Sequence, residues 1–168
     1  MIRFHALALI PAALMPLSVL AANNTGTITL TGKVTESSCT LTNATADLGN
    51  YSTAFFISKG TKTRDTRVSF SLTCSGTETG RLRFVGEQDA SDASLFKNTS
   101  ADNGIAIELT QNDGSRIDAS KVAEGQYAYS AIANTPLNVD LLAHMISTTD
   151  SISSGTVNSV ITVEVAPD

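Results

Sequence analysis

From residue 27 onward the chain alternates between apolar and polar side chains in short runs. That period of two is the signature of half-buried β-strands. Residues 27–35 read Thr-Ile-Thr-Leu-Thr-Gly-Lys-Val-Thr. Extended backbone puts Ile28, Leu30, Gly32 and Val34 on one face, and Thr27, Thr29, Thr31, Lys33 and Thr35 on the other. Residues 39–41 are a short strand candidate, and 46–51 follow, with Gly49 as a turn or bulge. In 68–74, Val68, Phe70, Leu72 and Cys74 share a face. Leu82 and Phe84 do the same in 81–85, and Ile105, Ile107 and Leu109 in 104–110. Asn112-Asp113-Gly114 predicts a tight hairpin turn, because Asp-Gly supports positive φ angles. Tyr127-Ala128-Tyr129 predicts a strand. Leu137, Val139, Leu141, Ala143 and Met145 fit a period of two better than a helical one. After Gly155, the residues Val157, Ser159, Ile161, Val163 and Val165 alternate toward the C-terminus.

Polar stretches separate these runs. Residues 58–67 and 147–154 read as exposed loops, and 87–102 as an excursion anchored by Leu95-Phe96. The phenylalanines at 55 and 56 with Ile57 form a short apolar cluster. Seven or eight short strands and few helices predict an all-β, immunoglobulin-like sandwich in one domain.

The first 21 residues change where this domain is expected to work. Arg3 is followed by an uncharged apolar run from Ala6 to Leu20, and Val19-Leu20-Ala21 offers a cleavage site after Ala21. This is the pattern of a secretory leader. Pro11 and Pro16 interrupt the run, which is short for a bilayer span. Export makes the two cysteines of the chain, Cys39 and Cys74, a disulfide candidate. The formal net charge of −5, without long runs, gives no footprint for nucleic acid.

Candidate chemistry is thin. Beyond the leader the sole histidine is His144, opposite the face of Leu141, Ala143 and Met145, where a solvated side chain is expected rather than a catalytic one. Two thiols and one histidine make a poor metal site. Asp89 with Asp92, and Asp113 with Asp118, lack calcium-loop spacing and read as turn acids. Lys62, Arg64 and Arg67 read as a solvated basic loop. No phosphate-binding glycine loop is present. The expectation is a non-enzyme with no cofactor, no metal and no small-molecule substrate. From the pattern alone, residues 27–35 serve equally as a first strand of this domain or as an arm that completes another sheet.

The order of signals resembles the subunits of chaperone–usher pili of the type 1 fimbrial kind. The carriers are the alternating arm running into Gly32-Lys33-Val34 and Cys39, then Asp47-Leu48-Gly49, and Phe70-Ser71-Leu72-Thr73-Cys74. Phe84-Val85-Gly86, Gly104-Ile105-Ala106-Ile107-Glu108-Leu109 with Asp113-Gly114, and Gly155, fourteen residues from the C-terminus counting Asp168, complete the set. The chain departs from the family at its next-to-last position, where Pro167 stands in place of an aromatic. The resemblance implies a sandwich lacking its last strand. Residues 22–36 would be an N-terminal donor-strand extension and 37–168 the pilin domain. Ile28, Leu30, Gly32 and Val34 would enter a neighbour's groove, with Gly32 where the groove is shallow. Gly155, Val157, Ile161, Val163 and Val165 would line this chain's own groove and face a periplasmic chaperone. Implied partners are that chaperone, an outer-membrane usher and neighbouring pilus subunits, with the mature protein in an extracellular fibre. The competing reading is a self-contained secreted immunoglobulin-like binding module.

Overall fold

The computed structural model describes residues 25–33 and 39–167. Eleven strands form among them: β1 (Thr25–Lys33), β2 (Cys39–Leu41), β3 (Ala44–Asn50), β4 (Thr66–Cys74), β5 (Glu78–Val85), β6 (Phe96–Lys97), β7 (Ile105–Gln111), β8 (Arg116–Ile117), β9 (Tyr127–Ala131), β10 (Leu137–Ser147) and β11 (Val157–Pro167). The helical elements among these residues are two three-residue 3-10 turns. The strands make two sheets. One has the order β3-β1-β11-β5-β9; the other runs β2-β4-β10-β7-β6, with β8 also paired to β7.

The alternating residues turn inward as their period requires. Phe70, Leu72, Leu82, Phe84, Ile107, Leu109, Val139, Leu141 and Ile161 lie in one core between the sheets. Phe70 and Phe84 meet edge-on across it, with ring centres 6.4 Å apart. The excursion at 87–102 is anchored as its sequence predicts: Leu95 and Phe96 are both buried. The hairpin at 112–114 also forms, with Gly114 at φ 84° and the Gln111 amide donating to the Ser115 carbonyl.

Gly49 is the predicted bulge. Its φ is 81°, and the β1–β3 register shifts there, with Gly26 opposite Gly49 but Thr27 opposite Asp47. The Asp47 carboxylate accepts from the Gly49 amide at 2.9 Å, which holds the kink.

The loop at 58–67 departs from expectation. Lys62 bridges to Ile146, Thr63 is buried, and Thr66 and Arg67 already belong to β4. The hydroxyl of Thr63 accepts from the Met145 amide at 3.0 Å, and Ser147 donates to the Ser58 carbonyl at 2.6 Å. Ser147 and Thr148 are buried with it, so that end of the 147–154 stretch is not exposed either. Short polar side chains can join sheet edges by such bonds, which periodicity does not register.

Cys39 and Cys74 sit opposite each other on β2 and β4 and are joined by a disulfide. The bridge closes a loop of 35 residues of sequence separation. In the chain-entropy account it contributes about 3.5–4 kcal/mol. A Cys39→Ser/Cys74→Ser double variant is therefore expected to lose about that much in urea unfolding, with a steeper slope because the unbridged unfolded chain exposes more surface; an unchanged midpoint would show that the bridge is not structural.

A strand channel and a buried ion cluster

The N-terminal strand fills a channel in its own sheet. β1 lies between β3 and β11. It runs antiparallel to β3 and parallel to β11, and every other pairing among the described strands is antiparallel. Take β1 away and β3 and β11 face each other across an empty channel. β3 lines one wall with Ala44, Ala46 and Leu48, and β11 the other with Val157, Ser159, Ile161, Val163 and Val165; all are buried. Ile28 is 0 % exposed and Leu30 1 %. Burying these two side chains contributes about 3–6 kcal/mol before the cost of ordering the strand.

The sequence-predicted residues fall as follows. Ile28 and Leu30 lie in the channel of their own molecule, where the resemblance placed them in a neighbour's. Gly32 pairs with Val163. Val34 lies outside the described residues, as do the leader at 1–21 and its cleavage site. Val157, Ile161, Val163 and Val165 line the channel wall. Gly155 precedes β11 and serves a different purpose: a Cβ there would sit 3.3 Å from the Asn103 amide nitrogen and 3.4 Å from the Ala101 Cβ. It allows the 98–104 loop to lie against the start of β11. Asn98 fastens that loop, donating to the Thr156 carbonyl at 3.1 Å and accepting from the Asn158 amide at 2.9 Å. Pro167 stands opposite Gly80 at the far end of β11. Sequence reading missed Ala44 and Ala46 as wall residues, although Ala44, Ala46 and Leu48 alternate. It also missed Ser159 as one of them, because a buried serine carries no apolar signal.

His144 is a correction. It is 4 % exposed, not solvated. On the outer face of β10 its Nε2 contacts the Glu108 carboxylate, and its Nδ1 lies 3.1 Å from Asp65 Oδ1. Lys62 and Arg116 also bind Glu108, and Arg116 reaches the Ser94 hydroxyl at 2.8 Å. Lys62 is thus an ion-pair partner and not part of a free basic loop, while Arg67 pairs with Asp140 at 3.3 Å. The 58–67 loop and the β7–β8 hairpin roof this face, which alternation alone assigns to solvent. Burial pushes the Glu108 carboxyl up, but hydrogen bonds from Lys62 and His144 and the charge of Arg116 outweigh it and hold the group below its ordinary range. A carboxylate bound to two cations and a histidine has the form of a structural tie between loop and sheet. No serine nucleophile completes a hydrolytic triad around it among the described residues.

The other candidate acids cap turns. Asp89, Asp92, Asp113 and Asp118 each accept a backbone amide from a serine two residues on, at 2.9–3.0 Å. Glu78 comes within 3.6 Å of Cys39 Sγ, but both sulfurs are committed to the disulfide and offer no thiolate to a metal.

Comparison with known proteins agrees with this architecture. The pattern of the fimbrial protein family matches residues 28–166. A type-1 fimbrial protein subunit of Serratia marcescens is 28% identical over 167 residues, covering 90% of this chain and 93% of that one. A solved chaperone–usher pilus, studied for rod uncoiling, superposes with a TM-score of 0.60 at 14% identity, over 96% of this chain and 100% of that one. The CupB6 tip adhesin of Pseudomonas aeruginosa superposes with a TM-score of 0.53 at 14% identity, over 81% of this chain and 39% of the adhesin. At these identities the two solved structures speak to the fold.

Two outcomes are expected from the site. Leu30→Ala should lower stability by about 2–5 kcal/mol in denaturant unfolding, as for a buried leucine with a cavity left behind; a loss below 1 kcal/mol would place Leu30 outside the core. For Glu108, a depressed carboxyl stabilises the fold fully above its ordinary value of about 4.3 and loses that contribution as pH falls through its lower folded value. Glu108→Gln should therefore be less stable than wild type at pH 7, with the gap in melting temperature narrowing below about pH 4. A gap independent of pH would remove the ion cluster from the account.

Proposed function

Given that the chain belongs to the fimbrial protein family and is a subunit of a chaperone–usher pilus, we propose that it joins its fibre by strand exchange, with residues 22–36 as the donated segment. The observation that carries this is the channel between β3 and β11. Its walls belong to the body of the chain, while the strand that fills it comes from the extreme N-terminal side of the described residues. A sheet completed by such a segment can be completed equally by the same segment of another molecule, which is recognition by strand addition.

The channel imposes little direction on its occupant. β3 and β11 run in opposite senses. Any strand between them is parallel to one and antiparallel to the other, whichever way it points. The ladder energy is thus similar for both directions, and a donor entering from outside does not have to copy the path of the chain's own strand.

An empty channel would expose an apolar wall and two unpaired strand edges, a strong aggregation hazard. This supports transit through the periplasm with the channel covered by a chaperone strand until an outer-membrane usher delivers the next subunit. In the fibre the contacts are with other pilus subunits, and the finished product is extracellular. The role is structural, in support of cell adhesion, and without catalysis. A self-contained binding module is not favoured by the family match.

Leu30→Asp tests the assignment in the assembling system. The body of the subunit should still accumulate with its chaperone, because the change lies on the arm. Incorporation as a donor should fall to background when pili are sheared and probed. Wild-type incorporation of this variant would remove the arm from assembly.

A further inference from the structure

Four large apolar side chains are exposed among the described residues: Phe55 at 42 %, Ile57 at 83 %, Ile132 at 65 % and Val160 at 48 %. Val160 lies within β11. The other three lie at the two ends of the sandwich. β11 runs from Val157, beside Gly26, to Pro167, opposite Gly80. Phe55 and Ile57 follow β3, whose last residue, Asn50, pairs with Thr25 at the start of β1. They stand at the Val157 end, by one mouth of the channel. The Ser52 hydroxyl accepts from the Ala54 amide at 3.1 Å and caps the turn that carries Phe55. The Phe55 ring centre is 4.9 Å from that of Tyr51 and 5.3 Å from that of Phe56, which is buried. Phe55 is thus held outward on a fixed base and loses little freedom on contact.

Ile132 is at the Pro167 end, just past β9, where Ala131 pairs with Glu78 at the start of β5. The Asn134 amide donates to the Cys74 carbonyl at 2.7 Å, and Cys74 is bridged to Cys39. The turn that carries Ile132 is therefore fastened beside Cys39, the first residue of β2. Residues 34–38 connect Cys39 to β1 and span at most about 20 Å. β1 has nine residues, a length of about 30 Å. The connection is too short to run back along the channel. A donated β1 brings the Ile132 end of its own body to whichever mouth its Lys33 end reaches. At the mouth on the Ile132 side, like ends meet, and two copies satisfy each other as a closed symmetric pair. At the mouth beside Phe55, unlike ends meet and the contact repeats without closing, as a fibre requires.

We propose that Phe55 and Ile57 form a docking surface for the Ile132 turn of a second copy of this chain, so that adjoining bodies touch through these side chains as well as through the donated strand. The proposal rests on the reading of the channel as the donor-strand site. The residues just before Thr25, Ala22-Asn23-Asn24, carry no large apolar side chain that could cover the patch instead. One ring and two aliphatic side chains fall far short of the area of a stable interface. The contact adds to the hold of the strand and does not pair isolated bodies.

Photo-crosslinking in sheared pili tests the partner. With Ile57→p-benzoylphenylalanine, irradiation should give a covalent dimer whose adduct maps to residues 131–136 of a second copy. An adduct elsewhere on a second copy, an adduct on another protein, or none at all overturns the docking surface. An alanine cycle tests the contact without the bulky probe, and decides alone if that variant does not assemble. Ile57→Ala and Ile132→Ala should each leave the melting temperature of the subunit within about 2 °C of wild type. Each should speed the release of subunits from pili in urea by about tenfold or more, and the double variant should release no faster than either single one. Unchanged release, or effects that multiply in the double variant, would show that the two side chains do not meet. Wild-type incorporation of Leu30→Asp would instead remove strand exchange, and the crosslink and the cycle would still decide whether these two ends touch.

Discussion

The fold depends on one insertion: a nine-residue strand lodged between β3 and β11. With it, one five-stranded sheet is continuous and the core is closed above Ile28 and Leu30. Without it, β3 loses its neighbour and β11 has an uncovered edge along residues 157–164. An immunoglobulin-like sandwich needs such closure to cover its core. Here it falls to a terminal segment, whose attachment on one side makes it the easiest element to replace. The strand exchange proposed above would draw on that weakness.

The remaining features secure the body of the subunit independently of the strand in the channel. The disulfide fastens β2 to β4 on the opposite sheet. The Glu108 cluster ties the 58–67 loop and the β7–β8 hairpin onto β7 and β10. The Asn98 contacts hold the 98–104 loop along the first half of β11, on the side away from β1. The residues of these ties lie outside the inserted strand.

Period-two alternation located most of this in the sequence. β4, β5, β7, β10 and β11 fall where their apolar residues predict, and the Asp113-Gly114 turn and the Gly49 bulge follow from backbone preferences at two glycines. The alternating face of 27–35 identified Ile28 and Leu30 as buried but could not say in which molecule, since one strand pattern fits any apolar channel. Two things were not legible. The outer-face burial of His144 and Glu108 depends on a loop folding over the sheet, a long-range contact that alternation assigns to solvent. The place of Ser159 beside Ile28 depends on the register of β1 with β11, and register is set by pairing across the sheet rather than along the chain.

Thr29 and Val160 are direct neighbours on β1 and β11, with Val160 on the exposed face. A Thr29→Cys/Val160→Cys variant would link the strand covalently to its own channel when oxidised and release it when reduced. Rate of fibre formation by purified subunit, oxidised against reduced, measures exchange itself. The account predicts no polymerisation from the locked form and recovery on reduction. Equal polymerisation by the locked subunit would contradict it, because the fibre would then be built without vacating the channel.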